Sequence, residues 1–320
     1  MLRMLGFGLV MAACLTSQGV AGDEAQTGII GGKETETAKW PWMAAVNFVS
    51  SAQDTHSSLI CGGTLIAPRW VLTAAHCVTS LGDIRLHAGN LRVIVGSAHR
   101  SGQGGEVINV SHIYIHPEYR RETLHHDVAL LRLDARSSVA PVRLANASQR
   151  AYLEEAPRRG LLTAMGWGRS RASDPASGAT WLRETRLDYV PDNVCARVWQ
   201  NLSGGQICAG GRVAVQDTCT GDSGGPLLMH YQGRHWLVGV TSYGAAECGT
   251  RGVPGVYTSA ADYAGWMQRT VYTNLVQLAR EGDGEGGMSA MHAVHARASL
   301  TQHNVAMQAA AQGGAEWLSN

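Results

Sequence analysis

The sequence predicts an all-β protein, and its composition and the spacing of its apolar runs are the evidence. Glycine is abundant, at 39 of 320 residues, whereas charged residues make up only 16% of the chain. This balance suits a loop-rich β protein better than a helical one. Short apolar runs separated by Gly, Pro, Asn or Ser are typical of a β-sandwich or β-barrel. Such runs occupy residues 43–49, 64–72, 91–96, 106–115, 127–133, 161–166 and 235–243.

Chain length and charge narrow the classes of protein and partner. A chain of 320 residues can bury a large core, as one big domain or two smaller ones. Its formal net charge is only +1 at pH 7. A balance so close to neutral gives no reason to expect a nucleic acid or another polyanion as a partner.

The N-terminal residues predict export from the cytoplasm. Arg3 precedes an apolar stretch from Leu5 to Leu15, and small residues follow as far as Ala21. This pattern is typical of a secretory signal peptide over residues 1–21. The apolar stretch is too short for a membrane span. We therefore expect a secreted or periplasmic protein without a stable membrane span, with a lipoprotein anchored through Cys14 as the alternative.

The clearest chemical signal is the run GDSGGP, which places Ser223 between glycines and directly after an acid. A serine hydroxyl is a weak nucleophile unless a base activates it and the backbone around it leaves room for a substrate carbonyl. Gly221 and Gly224 leave that room because they carry no Cβ. A G-x-S-x-G match alone is weak, since most glycine-rich serine turns are only turns. The full six-residue run is far more specific.

A base and an acid occur upstream of that serine. His76 follows an apolar segment in the run TAAHC, next to Cys77, which would anchor it through a disulfide. Asp127 begins the run HDVALLRL, and a buried carboxylate must find polar partners because an unpaired one is costly. Taken singly, an ordinary packed histidine and a strand-capping aspartate remain open alternatives.

Together, TAAHC, HDVALLRL and GDSGGP resemble the trypsin and chymotrypsin family of serine proteases, in the same order along the chain. The resemblance extends from about Ile29 to Leu275. It implies an all-β fold of two antiparallel six-stranded Greek-key barrels packed together, with a C-terminal helix. The implied peptidase domain covers residues 29–279, with barrels at about 29–145 and 146–258 and a closing helix at about 259–278.

The resemblance also implies a role for each residue of the site. Ser223 would attack the scissile carbonyl, and His76 would take its proton and later deliver it to the leaving amine. Asp127 would hold the imidazole in the correct tautomer. Backbone N–H groups of Gly221 and Ser223 would form the oxyanion hole, and Ser242 would support the acid and line the cleft.

The residues of the implied specificity pocket predict a cationic substrate side chain. Asp217 lies where the trypsin branch of the family has an acidic pocket floor, and Tyr257 matches a pocket tyrosine. Gly244 and Gly255 match the two wall glycines that admit a long side chain. A buried carboxylate under an open slot favours Arg or Lys. The departure from the family pattern is Tyr243, where a tryptophan is usual, and the alternative for Asp217 is a simple turn residue.

The segment around Ile29 resembles the mature N-terminus of the family. There the freed amino group pairs with the acid beside the nucleophile, here Asp222. The residue before the cut is Gly28 rather than the usual Lys or Arg. We therefore expect residues 22–28 to form a short propeptide that a separate activating protease removes.

The cysteines predict disulfides rather than a metal site. Apart from Cys14 there are six, which allow 15 pairings, and no C-x-x-C pair is present. An even set after a signal peptide indicates an oxidising compartment. The resemblance implies the pairs Cys61–Cys77, Cys195–Cys208 and Cys219–Cys248. Residues 87–100 lack the acidic spacing of the family's calcium loop, so we expect no required metal and no cofactor.

The C-terminal residues and the sequons receive no functional assignment from the sequence. Residues 281–287 form a glycine-rich linker, and 288–320 have the composition of a marginal helix, so 280–320 are treated as a tail of unknown role. Its histidines are expected to be solvated, with metal binding as the alternative. They are His292, His295 and His303. Three sequons, of unknown use, begin at Asn109, Asn146 and Asn201.

These expectations combine into a secreted serine endopeptidase that cleaves after Arg or Lys through an acyl-enzyme. Its partners would be protein or peptide substrates, proteinaceous inhibitors and the activating protease. One alternative is a catalytically silent protease homologue that acts as a binding module, but such homologues usually lose a triad residue. Another is an interaction protein driven by residues 280–320.

Overall fold

A computed structural model describes residues 29–281, apart from residues 52, 53, 55, 156–159, 175 and 212–215. The expected signal peptide, the propeptide and residues 282–320 lie outside the described residues, as do Cys14 and the three tail histidines.

Strands dominate the described residues, which contain seventeen of them. They are β1 (Lys33–Glu34), β2 (Met43–Phe48), β3 (Ser58–Ala67), β4 (Trp70–Thr73), β5 (Ser80–Leu81), β6 (Ile84–Arg85), β7 (Leu91–Val95), β8 (Glu106–Ile115), β9 (Ala129–Leu133), β10 (Arg143–Leu144), β11 (Leu162–Gly166), β12 (Arg183–Leu187), β13 (Tyr189–Val190), β14 (Gln206–Ala209), β15 (Pro226–Tyr231), β16 (Arg234–Tyr243) and β17 (Gly255–Ser259). The helices are α1 (His76–Thr79), α2 (Ala147–Glu155), α3 (Asp192–Cys195) and α4 (Ala264–Glu281), with 3₁₀ turns at Thr37–Lys39 and Ala88–Asn90.

Six antiparallel strands close the first barrel, in the order β2-β3-β4-β9-β8-β7. The apolar run that the sequence suggested at 64–72 is two strands, because the chain turns at Pro68 and Arg69 between β3 and β4. Proline lacks the N–H that a continuing strand would need. Leu72 then pairs opposite Leu130 on β9, which brings the end of β4 beside the start of β9.

The second sheet is curled and has the order β1-β12-β11-β15-β16-β17-β14-β13, with β10 pairing with β16. Its central path of seven strands runs from β12 to β13, and these two end strands belong to one chain segment interrupted only at Asp188. The carbonyl of Asp188 accepts the N–H of Gly210 at 2.8 Å, so the segment changes partner at that residue. The sheet therefore closes on itself through a bent strand, while β1 and β10 are short additions.

The all-β fold class is confirmed. Some strands agree with the predicted apolar runs and others were not predicted. The strand at 161–166 and the strand at 235–243 correspond to β11 and β16. Strands β12, β14, β15 and β17 were not predicted, because polar residues, glycine or proline interrupt them. The closing helix begins at Ala264 and ends at Glu281 rather than covering 259–278.

Helix α4 packs against the first barrel. Met267 and Val271 are buried and belong to the same apolar cluster as the barrel strands. The side-chain amide of Asn274 donates a hydrogen bond to the hydroxyl oxygen of Tyr114 on β8 at 2.7 Å. The helix that ends the described chain therefore contacts the barrel that begins it. No helix within residues 29–281, as far as they are described, is long and apolar enough to cross a membrane.

The described residues contain three disulfide bonds, and they are the pairs that the resemblance implied. Cys61–Cys77 ties β3 to α1, and Cys195–Cys208 ties α3 to β14. Cys219–Cys248 joins the segment before Ser223 to the segment after β16. Two of the three bonds therefore hold segments that carry candidate site residues.

Candidate active site

His76 and Asp127 meet where the ends of β4 and β9 lie side by side. The imidazole Nδ1 of His76 is 2.7 Å from Asp127 Oδ2, and the main-chain N–H of His76 donates to Asp127 Oδ1 at 2.9 Å. The carboxylate is fully buried, whereas the imidazole keeps 26% of its surface exposed. A buried carboxylate thus orients a histidine whose other face is open to solvent.

Two residues of the second sheet complete the environment of Asp127. Ser242 Oγ donates to Asp127 Oδ2 at 2.5 Å, as the resemblance implied. Thr258 Oγ1 donates to the main-chain carbonyl of Asp127 at 2.8 Å. Thr258 could not be identified from the sequence, because a threonine on a buried strand carries no distinguishing pattern. These bonds connect the two barrels at the acid.

The Ser223 loop is held between the same two barrels. The N–H of Gly62 on β3 donates to the carbonyl of Ser223, and the N–H of Gly224 donates to the carbonyl of Thr241, both at 2.8 Å. Gly224 has φ +77°, and a Cβ there would lie 2.3 Å from Thr73 Oγ1. Only glycine fits this approach. Gly62 is a further site residue that the sequence analysis did not single out.

His76 follows a strand of the first barrel, whereas Ser223 lies between two strands of the second sheet. No hydrogen bond joins Ser223 Oγ to the imidazole anywhere in the described part of the chain, and His76 Nε2 lies 3.7 Å from Cys77 Sγ. In apo structures the bond between nucleophile and base is often long, and it tightens when substrate binds.

The backbone before Ser223 has the form of an anion-binding turn. Gly221 has φ +99°, and a Cβ there would lie 2.9 Å from Gly168 Cα. Among the described residues, the N–H groups of Gly221 and Ser223 donate to no protein acceptor. Two unpaired donors beside a candidate nucleophile can stabilise a developing oxyanion.

Asp217 is the second buried acid of the site. It is 3% exposed; its Oδ2 accepts the N–H of Gly249 at 2.9 Å, while its Oδ1 has no hydrogen-bond partner. Burial raises the pKa of Asp217 to about 6, although the backbone hydrogen bonds lower it. A buried carboxylate oxygen without a partner is energetically unfavourable unless a ligand satisfies it.

Glycines leave space above this carboxylate. A Cβ on Gly255 would lie 3.3 Å from Asp217 Oδ1, and a Cβ on Gly244 would lie 3.8 Å from Gly255 Cα. Tyr257 is fully buried, and its hydroxyl contacts Thr218 Oγ1 at 3.2 Å. The wall is therefore thin where a long side chain would pass. Tyr243, which replaces the usual tryptophan, packs edge-on against Trp199 with ring centroids 5.2 Å apart.

Asp222 and Ile29 are both fully buried. The Asp222 carboxylate accepts the N–H groups of Gly168 and Cys219, each at 2.8 Å. Burial raises its pKa to about 7, and the charge of nearby Asp217 adds to that increase. Ile30 forms a β-bridge with Asp217, so the expected mature N-terminus lies beside the loop that carries both acids.

Two β-barrels, a histidine paired with a buried aspartate, and a serine between glycines define a hydrolase of the serine class. Comparison with known families gives the same result, since the family described as Trypsin matches residues 29–267. The chain belongs to the trypsin family of serine proteases.

Several curated proteins resemble this chain. One is "CLIP domain-containing serine protease B14" of Anopheles gambiae, which is 34% identical over 78% of this chain and 73% of its own. "Serine protease snk" of Drosophila melanogaster is 34% identical over 76% of this chain and 57% of its own. "Venom protease" of Bombus pensylvanicus is 35% identical over 73% of this chain and 96% of its own.

Proposed function

We propose that this protein is a secreted endopeptidase that cleaves peptide bonds after Arg or Lys. The observation that carries the specificity is the Asp217 carboxylate, which is 3% exposed and has one unpartnered oxygen. The thin wall at Gly244 and Gly255 supports the same conclusion. A guanidinium or ammonium group of the substrate would satisfy that oxygen, and an uncharged side chain would leave it unpaired.

In this proposal, His76, Asp127 and Ser223 perform acyl transfer. His76 accepts the Ser223 proton as the hydroxyl attacks the carbonyl, and it then protonates the leaving amine. The 2.7 Å contact with Asp127 keeps the other ring nitrogen protonated and stabilises the imidazolium. Water repeats the sequence in reverse to release the acid product.

The oxyanion hole of this mechanism is formed by the N–H groups of Gly221 and Ser223. Both donors are free of protein acceptors within the described residues, so a substrate oxyanion would meet no competitor. Removal of one donor of this kind typically lowers kcat about 100- to 1000-fold.

Hydrolysis of matched peptides tests the proposed specificity. Substrates that differ only in Arg, Lys, Phe or Ala before the cut should rank with Arg and Lys first. The Asp217→Ser variant should lose about 30-fold or more of kcat/KM for the Arg substrate, because truncation of a buried charged partner costs about 2–5 kcal/mol. A wild-type enzyme that prefers Phe or Ala would refute the pocket assignment.

A catalytically silent homologue is the second candidate, and the missing hydrogen bond between Ser223 and His76 is the observation that favours it. A sulfonyl-fluoride probe separates the two. An active enzyme should be labelled at Ser223, and the Ser223→Ala variant should keep its fold but lose labelling and turnover. Equal peptidase activity in wild type and Ser223→Ala would exclude Ser223 as the nucleophile.

Secretion is part of the proposal and rests on chemistry of the chain. The three disulfides of the peptidase domain suit an oxidising compartment. The proposed precursor has a signal peptide at 1–21 and a propeptide at 22–28, with the peptidase domain at 29–279. The relatives offer no support for a lipid anchor on Cys14. N-terminal sequencing of the exported protein tests both cuts.

A further inference from the structure

A group of side chains outside the proposed machinery has the composition of a metal site. The ligand atoms of His116, Glu118 and His126 all lie within 4.8 Å of one another. The two imidazole rings are stacked, with centroids 5.0 Å apart and an 8° angle between planes. Both histidines are half-buried and Glu118 is exposed, so solvent can reach the group from one side.

The main chain fixes the three residues in place. The N–H of His116 donates to the carbonyl of Val128 at 3.1 Å, which joins the end of β8 to the start of β9. Pro117 restricts the turn between His116 and Glu118, because its ring fixes φ and disfavours helix at the preceding residue. His126 has φ +54°, in the left-handed region, which is uncommon for a residue other than glycine.

The protonation chemistry of the two rings suits a metal. His126 Nδ1 lies 3.0 Å from the hydroxyl oxygen of Tyr263. When Nδ1–H donates to that oxygen, the Nε2 lone pair is free, which is the arrangement of metal-bound histidines.

The ligating atom of His116 follows from its hydrogen bond. Its Nδ1 accepts the N–H of Glu118 at 3.2 Å, so this nitrogen carries a lone pair. A cation at His116 Nδ1 would replace the weak hydrogen bond from the Glu118 N–H. Because the turn is exposed, water can accept that N–H instead. The Glu118 carboxylate starts from the same turn and supplies the negative charge.

We propose that His116, Glu118 and His126 bind one Zn²⁺ ion at the junction of the first barrel and helix α4. Two imidazoles and one carboxylate form a donor set that zinc accepts, and the fourth position would hold water. The hard cations Ca²⁺ and Mg²⁺ prefer oxygen ligands and should bind poorly. The site is separate from the proposed triad, although His126 directly precedes Asp127.

Aromatic packing is the competing explanation for the stacked rings. His116 also contacts the rings of Tyr263 and Trp266, each with centroids 5.2 Å away. Packing alone gives no role to the exposed carboxylate of Glu118. A Glu118→Gln substitution therefore separates the explanations, because it removes a ligand charge and leaves the stacked rings untouched.

Calorimetric titration of the full-length, metal-stripped protein with ZnCl₂ tests the site. The wild type should bind one tight equivalent, and its Tm should rise with zinc concentration, since a ligand that binds only the native state stabilises it. Glu118→Gln and His116→Gln should each lower the affinity for that zinc ion by about tenfold or more. MgCl₂ should produce no comparable heat.

Matched controls exclude other histidines. His56→Gln changes an almost fully exposed imidazole, and the triple variant His292→Gln, His295→Gln, His303→Gln removes the tail candidates. Both control variants should still bind one equivalent of zinc tightly. The proposal is overturned if the wild type binds no equivalent of zinc, or if Glu118→Gln binds it as tightly as wild type. Since the readout is metal binding, neither result bears on the proposed peptidase activity.

Discussion

At the scale of single residues, two buried carboxylates distinguish this site. Asp217 has an unpartnered oxygen, and Asp222 is satisfied only by backbone amides. Burial raises the pKa of Asp217 to about 6 and that of Asp222 to about 7. Both groups therefore change charge within the pH range in which a protease works.

The first prediction concerns the charge of Asp217. The ratio of kcat/KM for an Arg peptide to that for its uncharged citrulline counterpart should fall as pH drops through about 6, because protonated Asp217 no longer attracts a cation. Taking the ratio cancels the titration of the chemical step, which both substrates share.

Asp217→Asn is the control for that measurement, and its ratio should be low and independent of pH. The free energy of unfolding of the same variant should be higher than that of the wild type near pH 8. The folded pKa of Asp217 lies above the unfolded value of about 3.9, so ionisation destabilises the native state increasingly as pH rises to about 6 and fully above it. A flat ratio in the wild type would contradict a charged pocket floor.

The second prediction tests the space around Asp222. A Cβ on Gly168 would lie 2.6 Å from the Asp222 carboxylate, so Gly168→Ala must displace the residue before the nucleophile. We expect its kcat/KM to fall by about 100-fold, comparable to the loss of an oxyanion donor. Gly178→Ala is the matched control, because its nearest neighbour would be 3.5 Å away. Equal activity of both variants would show that the Asp222 loop tolerates movement.

At the scale of elements, helix α4 is a structural support rather than part of the chemistry. Met267 is fully buried in the core shared with the first barrel, whereas Leu275 on the same helix is 46% exposed. The helix therefore presents one face to the barrel and another to solvent, as its apolar spacing predicts.

The third prediction follows from that difference. Met267→Ala should lower the free energy of unfolding by about 2–4 kcal/mol through loss of packing, with kcat nearly unchanged in the folded enzyme. Leu275→Ala should change stability by no more than about 0.5 kcal/mol. Urea unfolding with parallel activity assays measures both. A loss of kcat in folded Met267→Ala would indicate that the helix positions the site.

Among the secondary-structure elements, those with a clear local pattern of apolar residues were predicted from the sequence. The closing helix and β8 follow from apolar spacing, and β11 is nearly right, since local periodicity reports the buried face. Pattern failed at 64–72, where a turn at Pro68 and Arg69 divides two strands. It also missed Gly62 and Thr258, because their roles arise from partners far along the chain.

At the scale of the whole molecule, helix α4 ends the described residues, and the glycine-rich segment at 281–287 follows it in the sequence. The last buried contact of α4 described above is Asn274 with Tyr114. We expect the tail to be separable from the peptidase domain, because few contacts cross a glycine-rich linker.

The fourth prediction is that a chain ending at Glu281 keeps its activity within about a factor of two, because few contacts cross a linker of this kind. Its secretion should match that of the full chain. Active-site titration and kcat/KM of both proteins provide the measurement. A large loss of activity would show that the tail docks on the domain.

The fifth prediction concerns activation. The precursor should be inactive and unable to process itself, because Gly28 offers no cation to Asp217. Release of Ile29 by a protease with small-residue preference should supply an ammonium group to Asp222. Purified precursor incubated alone, followed by N-terminal sequencing, tests this. Spontaneous appearance of Ile29 together with activity would contradict it.

The stability of the two forms provides an independent readout of that ion pair. The α-amino group has an unfolded pKa of roughly 7.7–8.0, and pairing with Asp222 should raise it. The extra stability of the cut form should therefore be fully present near pH 7 and should disappear as pH rises through the raised value. Equal pH dependence in cut and uncut proteins would exclude the pair.

The contacts between the barrels have a consequence for the newly made chain. The bond from Ser242 to Asp127 joins residues 115 positions apart, and that from His76 to Asp127 joins residues 51 apart. Contacts so distant in sequence form late in folding, because loop closure must come first. A chain with only its first barrel formed has a histidine and an aspartate but no serine beside them. In our proposal the triad is therefore assembled only in the last folding step, before the activating cut, and incompletely folded molecules lack the geometry needed to cleave a peptide.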